Sequence, residues 1–119
     1  MDRLQQKKIR RIRRKKHVRK IISGDGNRPR MTVYKSCRYL YVQVIDDVKA
    51  QTIMSASNLE KDLRKIKSTV EGAEQLGQIV AERLKEKKID RIVFDRNGYV
   101  YHGIVKSIAE GARKAGIQF

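Results

Sequence analysis

Residues 31–57 read MTVYKSCRYLYVQVIDDVKAQTIMSAS, and the alternation within them decides the fold. Met31–Ser36 puts Met31 and Val33 on one face, the period-two signature of a half-buried strand. Tyr39–Asp46 repeats the pattern with Leu40, Val42 and Val44 inward and Tyr41 and Gln43 outward, and Cys37-Arg38 suits the hairpin between them. Asp46–Lys49 turns the chain into a third strand, Gln51–Ser57, with Met54 and Ala56 inward and Ile53, Ser55 and Ser57 outward. Three hairpin-linked strands are antiparallel, and one face of this sheet is polar and aromatic.

Downstream the period changes. Asn58–Lys67 is charged and reads as a loop. Ser68 followed by Glu71 has the spacing of a capping box, in which the two side chains satisfy free amides at a helix start. The helix runs to about Lys87 with Ala73, Leu76, Gly77, Val80 and Leu84 in one stripe. A strand, Arg91–Asp95, follows at once, and strand-helix-strand implies a right-handed crossover and parallel pairing. Asn97-Gly98 turns the chain into a last helix, Tyr101–Ala115, with Val105, Ile108, Ala109 and Ala112 buried and Gly116 as its stop. The expected fold is therefore α/β: a mixed four-stranded sheet in the order β-β-β-α-β-α, with two helices on one face. Ser23–Asn27 is a cluster of turn formers, so the domain is expected at 28–119, preceded by an arm at 1–27.

The arm is the loudest feature. Thirteen of the 29 basic residues and two of the 13 acidic ones lie in Met1–Arg30, net +11 of the +16 carried by the chain, which leaves +5 for the rest. Such an excess repels itself unless a polyanion receives it, and a basic arm on a mildly basic domain is a common RNA-binding layout. Ile9, Ile12, Val18, Ile21 and Ile22 recur only loosely among the cations, and like charges at helical spacing repel. The arm is expected to fray when free and become helical on RNA. A membrane-surface helix needs a continuous apolar face, which Arg interrupts here.

Other classes fit poorly. The hydrophobic share is 39%, so the core must be compact, and no apolar run approaches the ~18 residues of a membrane span. The single Cys37 forms no internal disulfide, the N-terminus lacks the apolar segment of a signal peptide, and a cytoplasmic location is expected. Cys37, His17 and His102 lack zinc-site spacing, and no nucleophile motif is present, so neither a metal, a cofactor nor a catalytic residue is expected. Nucleases related to ribonuclease H share this element order, but they need convergent carboxylates. Asp95 is suitably placed; Met31–Ser36 holds none, and Asp46 and Asp47 read as solvated turn formers.

The residues suited to RNA follow from charge and position. The arm offers Arg10, Arg11, Arg13, Arg14, Lys15, Lys16, Arg19 and Lys20, whose guanidinium groups engage phosphates in two-pronged hydrogen bonds. Arg28, Arg30, Lys35, Ser36 and Arg38 rim the open sheet face, and Tyr41, Gln43, Ser55 and Ser57 present hydroxyls and an amide on it. Tyr34 either stacks on a base or pairs with Tyr41 across the strands. Arg96, oriented by an ion pair with Asp95, and His102 complete the set, while Tyr101 reads as a packed residue.

Several runs resemble one family. Arg28–Ser36, Tyr41–Asp47 and Ser55–Ser57 are similar to the domain of the eighteenth protein of the bacterial large ribosomal subunit. The most specific run is Val93–Gly103, continued by Val105-Lys106, Ala112-Arg113, Ala115–Ile117 and Phe119, so the resemblance spans the chain. It implies a non-catalytic ribosomal component that binds 5S ribosomal RNA. It also implies a place in the central protuberance, beside large-subunit ribosomal RNA and other 5S-binding proteins. Nothing in the sequence suggests a self-association surface, so the free protein is expected to be monomeric. The alternative is a generic basic RNA-binding or RNA-chaperone domain without 5S specificity. Three positions depart from the family pattern: Lys88 where a Gly ends the first helix, Asn97 for the first Gly of a pair, and Ile104 where Arg follows His-Gly.

Overall fold

The computed structural model describes residues 2–21 and 23–119, with the backbone alone over 18–21. The elements are α1 (Arg3–Ile21), β1 (Arg30–Lys35), β2 (Leu40–Asp46), β3 (Gln51–Ser57), α2 (Val70–Glu86), β4 (Val93–Asp95) and α3 (Ile104–Lys114), with a single 3-10 turn at Lys61–Leu63. The sheet order is β3-β2-β1-β4, antiparallel except for the parallel β1–β4 pair. This is the α/β architecture read from the sequence, with the crossover through α2 putting β4 on the far side of β1.

The period-two readings place the core. Met31, Val33, Leu40, Val42, Val44 and Ala56 are essentially inaccessible and meet Leu76, Val80 and Leu84 of α2 and Val105, Ile108 and Ala112 of α3. Among the described residues, none of α1 belongs to this core.

Four boundaries or faces differ from expectation, each for a local reason. The cap of α2 is Thr69, whose hydroxyl accepts from Gly72 N at 3.2 Å; Ser68 instead donates to the Ser36 carbonyl. Helix α3 starts at Ile104, because Gly103 takes φ 57° and breaks the helical path after Tyr101. The ladder of β4 begins at Val93, and Arg91 makes a separate bridge with Gln118. Ser57 is buried, donating its hydroxyl to the Leu40 carbonyl at 2.7 Å while accepting from Leu59 N.

Helices α2 and α3 end alike. Behind α3, Gly116 at φ 102° and Ile117 return amides to the carbonyls of Arg113 and Ala112, the Schellman arrangement. Behind α2, Lys88 and Ile89 donate to Lys85 and Leu84 in the same way, but Lys88 must hold φ 61° with a Cβ. A left-handed residue other than glycine costs about 1–2 kcal/mol, partly offset by the extra unfolded-state freedom of glycine. Lys88→Gly is therefore expected to stabilise the chain by about 0.5–1 kcal/mol. Thermal unfolding should show this as a midpoint a few degrees higher, and an unchanged midpoint would mean that the turn relaxes around the lysine.

Candidate nucleic-acid interface

Helix α1 holds eleven Lys and Arg residues and no carboxylate in nineteen positions. Its helical repeat sorts them into two stripes. Leu4, Lys7, Lys8, Arg11 and Arg14 turn toward the domain, where they line a cleft of about 580 Å³ with Lys35, Tyr99, Val100 and His102. Arg10, Arg13, Lys16 and His17 are exposed. The side chains of Arg19 and Lys20 lie outside the described residues.

The inward stripe docks on the turn after β4. Arg11 Nε donates to the Asn97 carbonyl at 3.3 Å, and Arg14 Nε donates to the Gly98 carbonyl at 2.9 Å. The Arg11 guanidinium sits 4.2 Å from the centroid of Tyr99 and 5.6 Å from that of Tyr34, whose rings meet edge to face at 6.5 Å. Two arginines read as phosphate ligands thus hold the helix to the domain, through carbonyl dipoles and ring faces. Gly98 allows that approach, because a Cβ there would collide with the Arg11 carbonyl oxygen. The 4-7-11-14 spacing was the available signal for this stripe, and Tyr99 is the platform that sequence reasoning missed.

The sheet face opposite α2 and α3 lies partly beneath α1. Lys15, Thr32, Tyr34, Tyr41, Gln43 and Asn97 enclose a cavity of about 230 Å³. Thr32 Oγ1 and Asn97 Oδ1 are buried and lack a hydrogen-bond partner among the described residues. Asn97 holds φ 54° and donates from its amide to the Val33 carbonyl at 2.9 Å. Tyr34 and Tyr41 are register partners, yet the ring that meets Tyr34 is Tyr99. Ser55, half of the expected hydroxyl pair with Ser57, stays exposed.

Of the cationic rim, Arg28, Lys35 and Arg38 are exposed, as is Ser36. Arg30 is not available to a partner. Its Nη1 donates to Asp95 at 2.8 Å, and its Nε and Nη2 donate to Asp47 at 3.0 and 3.1 Å. Burial pushes its pKa down, but the hydrogen bonds and charges of the two carboxylates outweigh that and raise it. Asp47 also accepts from Gly24 N at 2.8 Å, so the turn that ends the arm is pinned to the turn that follows β2. Two sequence readings change accordingly. Asp47 is not merely a solvated turn former, and Asp95 pairs with Arg30 rather than Arg96, whose guanidinium donates to the Tyr99 carbonyl. The carboxylates that a metal-dependent nuclease would use converge here on a guanidinium instead.

Near the same loop, His102 is exposed in the α1 cleft, and Tyr101 packs edge to face on Phe94. Ile104, at the position of the family's Arg, lies partly buried against the core.

Residues 5–119 match the family model described as ribosomal L18 of archaea, bacteria, mitochondria and chloroplast. The chain belongs to this family. The large ribosomal subunit protein uL18 of Treponema denticola is 53% identical over 109 residues, covering 92% of this chain and 91% of that protein. The uL18 of Dictyoglomus turgidum is 52% identical over 116 residues, covering 95% and 94%. That of Geobacter metallireducens is 48% identical over 121 residues, covering both chains in full. Membership in the ribosomal L18 family makes this a structural ribonucleoprotein component of the large ribosomal subunit in the cytoplasm, with ribosomal RNA as its partner, and not an enzyme. The basic arm from residue 5 onward and the α1 docking turn both fall within the residues that the L18 model matches.

Proposed function

We propose that this chain binds 5S ribosomal RNA and helps attach it to large-subunit ribosomal RNA, beside other 5S-binding proteins. The observation that carries the reading is the outward stripe of α1, with Arg10, Arg13 and Lys16 exposed on a helix that contains no carboxylate. That row suits the phosphates of a duplex, and Lys35 and His102 stand exposed at the cleft on the other side of α1. Thr32 and Asn97, with their unpartnered acceptors, suit a ribose hydroxyl.

The arm is the mobile part of the free, monomeric protein in this proposal, and the unit 28–119 is its fixed support. Two features favour that division. Like charges crowd α1, and its described side chains add nothing to the hydrophobic core. RNA neutralises the first of these and so favours the helix.

The test is filter binding to 5S ribosomal RNA with transfer RNA as competitor, for the full chain and for a chain without residues 1–22. Tight binding that resists competitor and weakens sharply without the arm is expected. If about 6 phosphates are neutralised, affinity should fall about 10³-fold between 50 and 200 mM salt. Equal affinity for the two RNAs would leave a generic basic RNA binder and remove the 5S assignment.

A further inference from the structure

At the end of the sheet, the β1–β2 hairpin tip and the segment leading into α2 enclose a concavity of about 620 Å³. Its cations are Arg38, Arg64 and Lys67, all exposed, and no carboxylate lines it. No ion pair involves any of the three among the described residues. Of the two acids in the loop, Glu60 is taken by Arg83 in two hydrogen bonds of 3.0 Å, and Asp62 lies outside the concavity's lining. Between the cations the surface is apolar: Tyr39 is 45% exposed and Leu59 is 54% exposed.

The concavity is a built feature, not a gap between loose loops. Asn58 is buried and staples both walls, its Nδ2 donating to the carbonyls of Arg38 and Ile66 at 3.1 Å each and its Oδ1 accepting from Leu40 N at 3.0 Å. Ser68 Oγ adds a bond to the Ser36 carbonyl at 3.2 Å. A fixed hollow with three unpaired cations and an exposed aromatic ring matches the recognition of unpaired nucleotides: phosphates on the cations, a base on the ring. An acidic peptide would satisfy the cations but has no comparable use for the ring.

We propose that this concavity is a second RNA-binding site, separate from α1, which takes an unpaired RNA segment with a base on Tyr39 and phosphates on Arg38, Arg64 and Lys67. None of its lining residues contributes to the cleft or cavity at α1, and it is walled by the chain entering α2, in the layer opposite α1. The two sites can therefore hold two RNA segments at once. The inference goes beyond 5S binding and does not depend on it.

The probe is a fluorescein-labelled single-stranded RNA of ten nucleotides and mixed sequence, followed by anisotropy. The protein is the full chain with Arg10→Gln, Arg13→Gln and Lys16→Gln, which silences the outward stripe of α1. This chain is expected to retain binding. Adding Arg38→Gln, Arg64→Gln and Lys67→Gln should weaken it at least tenfold and reduce the magnitude of the salt slope by about 2. Tyr39→Ala alone should weaken it about tenfold with the slope unchanged. All the altered side chains are exposed, and circular dichroism of each variant confirms that it is folded. Loss of affinity that ignores these four residues would overturn the proposal. So would displacement of the RNA by an oligoglutamate peptide of equal charge as effectively as by unlabelled RNA, because the site would then select charge alone. Failure of the unmodified chain to prefer 5S ribosomal RNA over transfer RNA would count against the function proposed above and leave this result standing.

Discussion

Replacing Arg30 by methionine is expected to destabilise the fold by about 3–5 kcal/mol, the cost of removing one partner from a buried ion pair. Methionine keeps most of the volume, so the loss reports charge rather than a cavity. Asp95 has no exposed surface, and without the guanidinium its charge stays buried with the Asn97 amide as a remaining donor. Asp47, whose side chain is 29% exposed, can turn to water and contributes less. A domain of this size holds only about 5–15 kcal/mol in total, so urea unfolding should show a large fall in midpoint. The double variant Arg30→Met/Asp95→Asn should recover part of the loss, since no uncompensated charge remains. A single variant as stable as the parent would mean that water reaches Asp95 and that the pair is not a buried one. The experiment also separates two roles for Arg30. If it bound RNA, affinity of the folded variant would fall while stability held.

That arginine marks where sequence reading stops. The strands, the helices, the inward residues and the parallel crossover all follow from local period and turn chemistry, which act over a few residues. Arg30 was counted as an RNA ligand because it sits at a strand end on the rim of the open sheet face; the partners that claim it lie 17 and 65 residues away. The same holds for α1. Its Lys and Arg content pointed to a polyanion, but the division into a docking stripe and an outward stripe depends on Asn97, Gly98 and Tyr99, more than 80 residues downstream. Ser68 and Thr69 show the opposite limit. Both can cap a helix, and the choice fell to Thr69 because Ser68 met a carbonyl of the distant hairpin. Ser57 was read outward from strict alternation, which takes no account of the following turn that folds back over it. Chemistry that a residue satisfies close by is visible in the sequence, whereas chemistry satisfied across the fold is not.

Gly77→Ala and Gly111→Ala are each expected to destabilise the protein by about 1–3 kcal/mol, although both glycines sit inside helices. Propensity alone predicts the reverse, since alanine is favoured over glycine in a helix interior by about 0.8–1.0 kcal/mol. Packing decides the sign. A Cβ on Gly77 would collide with the Ile108 carbonyl oxygen and lie 3.0 Å from Ala112 N; one on Gly111 would collide with the Glu74 carbonyl oxygen. These obstacles are backbone, which cannot step aside as a flexible side chain does, so the two helices must separate. Separation loosens Leu76, Val80, Ile108 and Ala112, all fully buried, and that overpacking penalty exceeds the propensity gain. Because each glycine faces the other helix's backbone, one separation accommodates both methyl groups. The double variant should therefore cost less than the sum of the singles, a coupling that denaturant unfolding of all four chains measures. Additive losses would mean that each site relaxes locally. Stabilised single variants would mean that the helices have room to move apart, and close approach through the glycines would then not be what sets the distance between α2 and α3.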